Sequence, residues 1–414
     1  MSATHEFFNV QPVEAALATL HSRWGYTPKT ESLDPRGALG RVLATALHSP
    51  IDLPEFTRSA MDGFAVRAED TFGASSSLPA YIAVIGRIAM GAQANLEIQR
   101  GQTVEIYTGG MLPQGANAVV MVEQTQRIND NEIEALAPVA PGENVIQIGE
   151  DISKDDIILN AGQRLRPQDI GGLLAVGITS IEVAVPPRVG ILSCGDEVIP
   201  PENMPAPGQI RDINAYMLSA LIQQSGGAPI ILGIARDTLE DYLTCAQTKF
   251  DEVDMLVMTA GSSVSARDLT HAVINRLGKP GVLQHGLAVK PGKPTILAIC
   301  DNKPVVGLPG NPVSALLVAY QIVVPLIKRA LGDQPRTTAT IKAKLASNIA
   351  STTGREDTIP VKLTKEFTEY IAEPVFGKSN LIFTLINADG LAHIPLNSNG
   401  LRAGTEIEVT VFNV

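Results

Sequence analysis

Apolar positions along this chain change their period repeatedly, and each change marks a different kind of element. Val13, Ala16, Leu17, Leu20 and Trp24 recur three and four residues apart, which predicts an amphipathic helix over residues 12–24. Residues 38–47 predict helix or irregular backbone, ended by Pro50 and Pro54. Between residues 79 and 140 the pattern turns to short alternating strands at 81–88, 103–107, 118–123 and 133–138, separated by Thr108-Gly109-Gly110 and Pro113-Gln114-Gly115. After Pro141-Gly142 the stretch 149–152 and a helical spacing over 167–176 return to the style of the first region, so the strands read as an insertion.

From Pro187 onward, near-continuous apolar runs alternate with helical stretches. Runs at 189–193, 230–234, 255–258 and 305–306 each lead into a polar turn and then a helix: 215–224 behind Asp212 or Asn214, the helix opened by Thr238 with Asp241, and 269–277. Such repeats predict a parallel sheet covered on both faces, with any ligand outside the carboxyl ends of the strands. The last repeat ends in Pro309-Gly310-Asn311-Pro312, which predicts a helix capped by Asn311 with Pro312 at its first position and a kink at Pro325. Beyond Leu331-Gly332 alternation resumes at 340–345, 358–363, 370–372, 392–395 and 406–412, predicting a C-terminal β-domain.

Composition narrows this picture in three ways. At 414 residues the chain is expected to divide into two to four domains. No run approaches the roughly 20 apolar residues of a membrane span, the first residues lack a basic-then-apolar leader, and three cysteines without paired spacing fit a reducing, cytoplasmic setting. A net charge of −11 argues against a nucleic-acid-coating surface, so an anionic ligand needs a local basic cluster.

Such a cluster is present. Lys290-Pro291-Gly292-Lys293-Pro294 sets two lysines on a stiffened turn, and the helix start at Asn311 leaves N–H groups facing the turn before it, where a phosphate or carboxylate can bind. Glu197, Asp237 and Asp268 follow strand ends on the same predicted edge. Singly, Asp237 and Asp268 suit helix N-termini; gathered together, they repel unless a cation joins them, which fits an anion held with a hard metal such as magnesium.

The runs Ser59-Ala60-Met61-Asp62-Gly63-Phe64-Ala65-Val66, Tyr107-Thr108-Gly109, Gly115 to Val120, Gly149-Glu150-Asp151-Ile152, Gly195-Asp196-Glu197, Lys290 to Pro294 and Gly307 to Ala315 resemble, in order and over essentially the whole chain, the molybdopterin molybdenumtransferase family, bacterial relatives of the gephyrin E domain. The resemblance implies a multidomain α/β plus β chain: an elongated dimerisation region at 1–56 and 141–183, an inserted small β-domain at 57–140, a parallel α/β sheet domain of the molybdopterin-binding type at 184–331, and a β-barrel-like C-terminal domain at 332–414. It implies a magnesium-dependent transferase that takes molybdate and adenylylated molybdopterin and releases AMP. The site would lie between two subunits of a homodimer, with molybdopterin adenylyltransferase as a candidate partner.

By the same resemblance Asp62 and Thr108 lie on the insertion's side of the cleft. Glu197, Asp237 and Asp268 contact metal or pterin, and Lys290 and Lys293 hold molybdate or phosphate. Asp151, Ser263, Ser265, Pro309, Gly310, Asn311, Ser314, Arg355 and Ser379 complete the substrate contacts, Arg355 being equally compatible with a surface arginine. Two departures stand out. The family's Ser-Gly-Gly-x-Ser-x-Gly loop is replaced by Ala260 to Ala266, with Ser262 or Ser263 and Ala266 for two expected glycines, and Ile146, Gln147 and Ile148 stand where the family carries arginines. These changes leave room for a paralogue that binds a pterin nucleotide or tungstate with altered turnover, and for a gephyrin-like dimeric scaffold.

Overall fold

In the computed structural model, which describes residues 10–260, 264–334 and 339–412, the first apolar stripe folds as the helix Val13–Arg23. Its stripe decides where it goes. Ala16, Leu20 and Trp24 are buried in one core with Val189, Ile191, Leu297 and Ile299. The helix therefore packs on the sheet region, although it lies more than 160 residues before the first strand of that sheet. Leu20 is fully buried there, so Leu20→Ala is expected to cost roughly 2–5 kcal/mol in denaturant unfolding. Trp24, the single tryptophan, reports the transition; a loss well under 1 kcal/mol would show that this helix adds little to the core.

The segments on either side of the insertion are held together by short antiparallel pairs, Thr30–Leu33 with Ile181–Ala184 and Leu47–His48 with Ile157–Leu159. Between them residues 38–46 are irregular, entered by the single 3-10 turn Pro35–Gly37, and Ala38 and Leu43 join Leu159, Leu165 and Leu173 in a separate core. The insertion is a six-stranded sheet in the order Ala118–Met121, Gly63–Val66, Gln102–Ile106, Ala80–Arg87, Glu132–Ala135, Thr125–Asn129. Its outermost strand, Thr125–Asn129, escapes the hydrophobic pattern because an exposed edge strand needs no apolar face.

The third region has a six-stranded sheet in the order Ala228–Ala235, Arg188–Cys194, Met255–Ala260, Lys303–Pro309, Ile296–Cys300, Pro280–His285. The first four strands are parallel, as expected, but Ile296–Cys300 runs against both its neighbours, so the sheet is mixed. The cause is local. Asp301 and Asn302 both take positive φ, 48° and 62°, in a two-residue turn of the kind that joins antiparallel strands.

The following helix departs from expectation too. It is interrupted at Ile322 into Pro312–Gln321 and Val323–Leu331, and Pro325 falls in the first turn of the second piece, where a missing N–H costs nothing. Pro312–Leu331 as a whole is long and apolar enough to cross a membrane by length and composition, contrary to the sequence reading, but 61% of its 18-residue apolar window is buried inside the fold. It is a core element.

At the C-terminus, Thr340–Leu345, Glu356–Glu366, Glu369–Pro374, Gly390–Ile394 and Glu406–Val411 close into a barrel, since Glu356–Glu366 pairs with Gly390–Ile394 as well as with its hairpin partner. A short strand from the sheet region, Val289–Lys290, adds to it in parallel and sets Val289 against Glu356 and Lys290 against Asp357.

Candidate functional site

Register fixes the candidate site before any side chain is considered. Cys194 pairs with Ala235, Ser193 with Thr259, and Ala260 with Pro309 across parallel strands, so four carboxyl ends share one edge. Three inter-strand steps make that edge about 14 Å long. Glu197, Asp237, Gly310 and Asn311 come off it within a few residues of their strands.

At one end of the edge the first two loops are tied together. The Gly195 N–H donates to the Ala235 carbonyl at 3.1 Å and the Asp237 N–H to Asp196 Oδ1 at 3.2 Å. The Cys194 thiol donates to Asp237 Oδ1 at 3.3 Å and lies 3.5 Å from the Arg236 carbonyl. Burial, reinforced by the Asp237 carboxylate, pushes this thiol well above its ordinary range. A Cβ on Gly195 would meet Glu197 Oε2 at 2.7 Å, so glycine makes room for that carboxylate. Beside these loops opens a cavity of about 530 Å³ lined by Asp196, Asp212, Tyr216 and Arg236.

Glu197, Asp237 and Asp268 do not converge on a point. Among the described residues no group of three or more His, Cys, Asp or Glu is placed to hold a metal ion. Glu197 and Asp237 come from separate loops after their strands, Asp268 comes from within a helix rather than from its N-terminus, and Asp237 turns an oxygen to Cys194. Asp268 is exposed on the helix Val264–Leu277. Ser263 lies outside the described residues with Gly261 and Ser262, and so does the side chain of Ser265.

At the other end of the edge the barrel arrives. Asn311 opens the helix Pro312–Gln321, but its side chain does not cap it; Asn311 Nδ2 donates to Ser379 Oγ at 2.8 Å, and the Val313 N–H donates to the Ser379 carbonyl at 3.1 Å. From below, Asn214 Nδ2 donates to the Gly310 carbonyl at 2.8 Å. Pro309 and Ser314 are buried, Ser314 with 5% exposure.

The basic cluster is organised by a residue the sequence reading passed over. Asp357 is fully buried; Arg355 Nε donates to its Oδ1 at 2.9 Å, and Lys290 Nζ stands 4.0 Å from its Oδ2. Arg355, expected either on the surface or against an anion, is thus anchored to a buried carboxylate. Arg355 lies in the bend just before the strand Glu356–Glu366 and Asp357 is that strand's second residue, ahead of the alternation at 358–363, so the pair carried no strand signal in the sequence. Lys293 is exposed on the same turn, whose Gly292 sits at φ 109° with Val318 Cγ2 only 2.2 Å from where a Cβ would go.

Asp62 and Thr108 meet on the inserted sheet, where Gly63 pairs with Ile106 and brings the two turns together. The Thr108 N–H and Oγ1 both donate to Asp62 Oδ1, at 2.7 and 2.8 Å, and these bonds hold the Asp62 carboxyl below its usual range. Asp62 is therefore ionised near neutrality. Asp151 is exposed on the loop after Gly149, with its N–H on the Leu53 carbonyl at 3.0 Å. Where the family arginines are missing, Ile146 pairs in register with Arg58, so a guanidinium stands on the neighbouring strand.

Comparison with known proteins agrees along the chain. Residues 11–177 match the profile described as MoeA N-terminal region (domain I and II), 190–329 the one described as "Probable molybdopterin binding domain", and 342–412 the MoeA C-terminal region (domain IV). The chain is 33% identical over 333 residues to the molybdopterin molybdenumtransferase of Haemophilus influenzae, covering 80% of this chain and 81% of that one. With the molybdopterin molybdenumtransferase of Bacillus subtilis it shares 31% over 389 residues, 93% and 90% of the two chains. The crystal structure of a molybdopterin biosynthesis MoeA protein from Pyrococcus horikoshii superposes with a TM-score of 0.83 at 38% identity, over 98% of this chain and all (100%) of that one.

Proposed function

The chain belongs to the MoeA family of molybdopterin molybdenumtransferases, and from that premise we propose that it inserts molybdate into adenylylated molybdopterin with release of AMP. The observation that carries the reading is the convergence of two regions on one sheet edge: barrel residue Ser379 bonded to the Asn311 turn, with carboxylate loops at the far strands. A long dianionic substrate laid along that edge meets acids at one end and bases at the other.

Little covalent work is asked of the protein, so positioning and electrostatics supply most of the effect. Lys290, Lys293 and Arg355 bind the oxyanion, with Ser379 and Asn311 as hydroxyl and amide partners. Gly310, Pro309, Ser314 and Asp151 shape the remaining contacts, and the cavity beside Tyr216 offers room for one heterocycle. Asp237 and Glu197 on loops and Asp268 on its helix are hard oxygen donors, which fits magnesium held by one or two carboxylates together with substrate phosphate. When bound, the cation shields the charge of the pyrophosphate. In a homodimer, ionised Asp62 and Thr108 from the second copy's insertion complete the cleft. A cytoplasmic setting is supported by three free thiols, and the adenylylated pterin would be supplied by an adenylyltransferase.

Asp268→Asn and Glu197→Gln are expected to cut magnesium-dependent AMP release by more than tenfold while leaving the melting temperature unchanged or higher, because each removes one negative charge from an edge rich in carboxylates. Parallel assays of AMP release and thermal melting check this. Parental activity in both variants would remove these carboxylates from the reaction.

A further inference from the structure

We propose that Cys194 is a positioning residue, whose thiol proton holds the Asp237 carboxylate in place at the sheet edge. The inference rests on the reading above for the role of Asp237, and on local geometry for the rest. Asp237 is exposed on a short loop, where a carboxylate would otherwise sample several rotamers. Cys194 lies beside it at 3% exposure, as the last residue of a buried strand paired on both sides. The sulfur is 3.3 Å from Asp237 Oδ1. The Asp237 N–H is fixed by Asp196 Oδ1 from the same turn, two residues after Cys194, so backbone and side chain are gripped by one short segment. The hydrogen bonds described for Asp237 use its N–H and Oδ1, which leaves Oδ2 to face a ligand.

A buried cysteine can equally be a small apolar filler, and Cys194 does belong to a core that includes Leu192, Ala235 and Met258. The two roles separate under substitution. Serine keeps a donor at the same place, whereas alanine keeps only the apolar character. If the thiol positions Asp237, Cys194→Ala raises the half-saturating concentration of Mn²⁺, read by paramagnetic resonance in the presence of AMP, by about 3–10-fold, and Cys194→Ser recovers most of that loss. In the insertion assay the same split falls on the divalent-ion dependence, with little change in turnover at saturating cation.

The hydrogen bond itself is read without any ligand. In the infrared, the S–H stretch of Cys194 lies apart from those of Cys245 and Cys300 through its carboxylate acceptor, and Asp237→Asn shifts that band alone. A band indifferent to Asp237→Asn, or Ser and Ala variants that bind Mn²⁺ alike, overturns the proposal. If insertion fails in every protein while the Mn²⁺ difference and the band shift persist, the molybdenum reading falls and the role of Cys194 stands.

Discussion

Replacing Arg355 with alanine is expected to destabilise the protein by roughly 3–5 kcal/mol, far more than a surface arginine would, because it strands a buried charge. Asp357 has no exposed side-chain surface, and its shortest charged contact is Arg355 Nε at 2.9 Å. Lys290 remains, but at 4.0 Å and half-exposed it replaces the guanidinium only in part, which places the expected cost toward the lower end of that range. Adding Asp357→Asn to Arg355→Ala should restore much of the loss, since the neutral amide no longer demands a counter-charge. Denaturant unfolding of the single and double variants makes the comparison. A cost below about 1 kcal/mol for Arg355→Ala would mean that the pair is bystander electrostatics. The result also governs how activity data are read: a dead Arg355 variant is evidence about the oxyanion only after its folded fraction is known.

Mixing an inactive Asp62→Ala protein with an inactive Asp268→Ala protein is expected to restore activity. If each cleft takes Asp62 from one subunit and Asp268 from the other, one cleft of a heterodimer carries both variants and the other carries neither. Random reassociation makes half the dimers mixed, each with one intact site, so about a quarter of parental activity should return. Differentially tagged subunits, co-purified after mixing, raise the expected figure to about half per heterodimer. A verified heterodimer with no activity would place Asp62 and Asp268 in the same subunit's site, or remove one of them from it.

Much of this architecture is written in local pattern. The insertion, the strand and helix repeats and the C-terminal strands follow from periodicity and turn residues, because each depends on neighbours a few residues apart. What the pattern conceals depends on distant partners. The stripe at Ala16, Leu20 and Trp24 announces a helix without naming its partner, which proves to be the sheet domain through Leu297 and Ile299. Asn311 has the composition of a cap, yet Ser379, 68 residues away, competes successfully for its amide. Arg355 and Asp357 stand two residues apart at the start of a strand, but that Lys290 of another segment comes to lie beside Asp357 is a fact of register. The carboxylates, conversely, promise a metal cage that the fold does not assemble from protein groups alone among the described residues.

The addition of Val289–Lys290 to the barrel has a consequence for inheritance. The chain crosses into its last region more than forty residues after Lys290, so a recombination event at that crossing gives the lysine of one parent and the buried aspartate of the other. Such a hybrid inherits a working contact only where both parents kept the same register between Val289-Lys290 and Glu356-Asp357. The C-terminal barrel is thus separable as a length of sequence but not as a unit of descent: its heritable boundary runs upstream of its first strand and takes in the turn that carries both lysines.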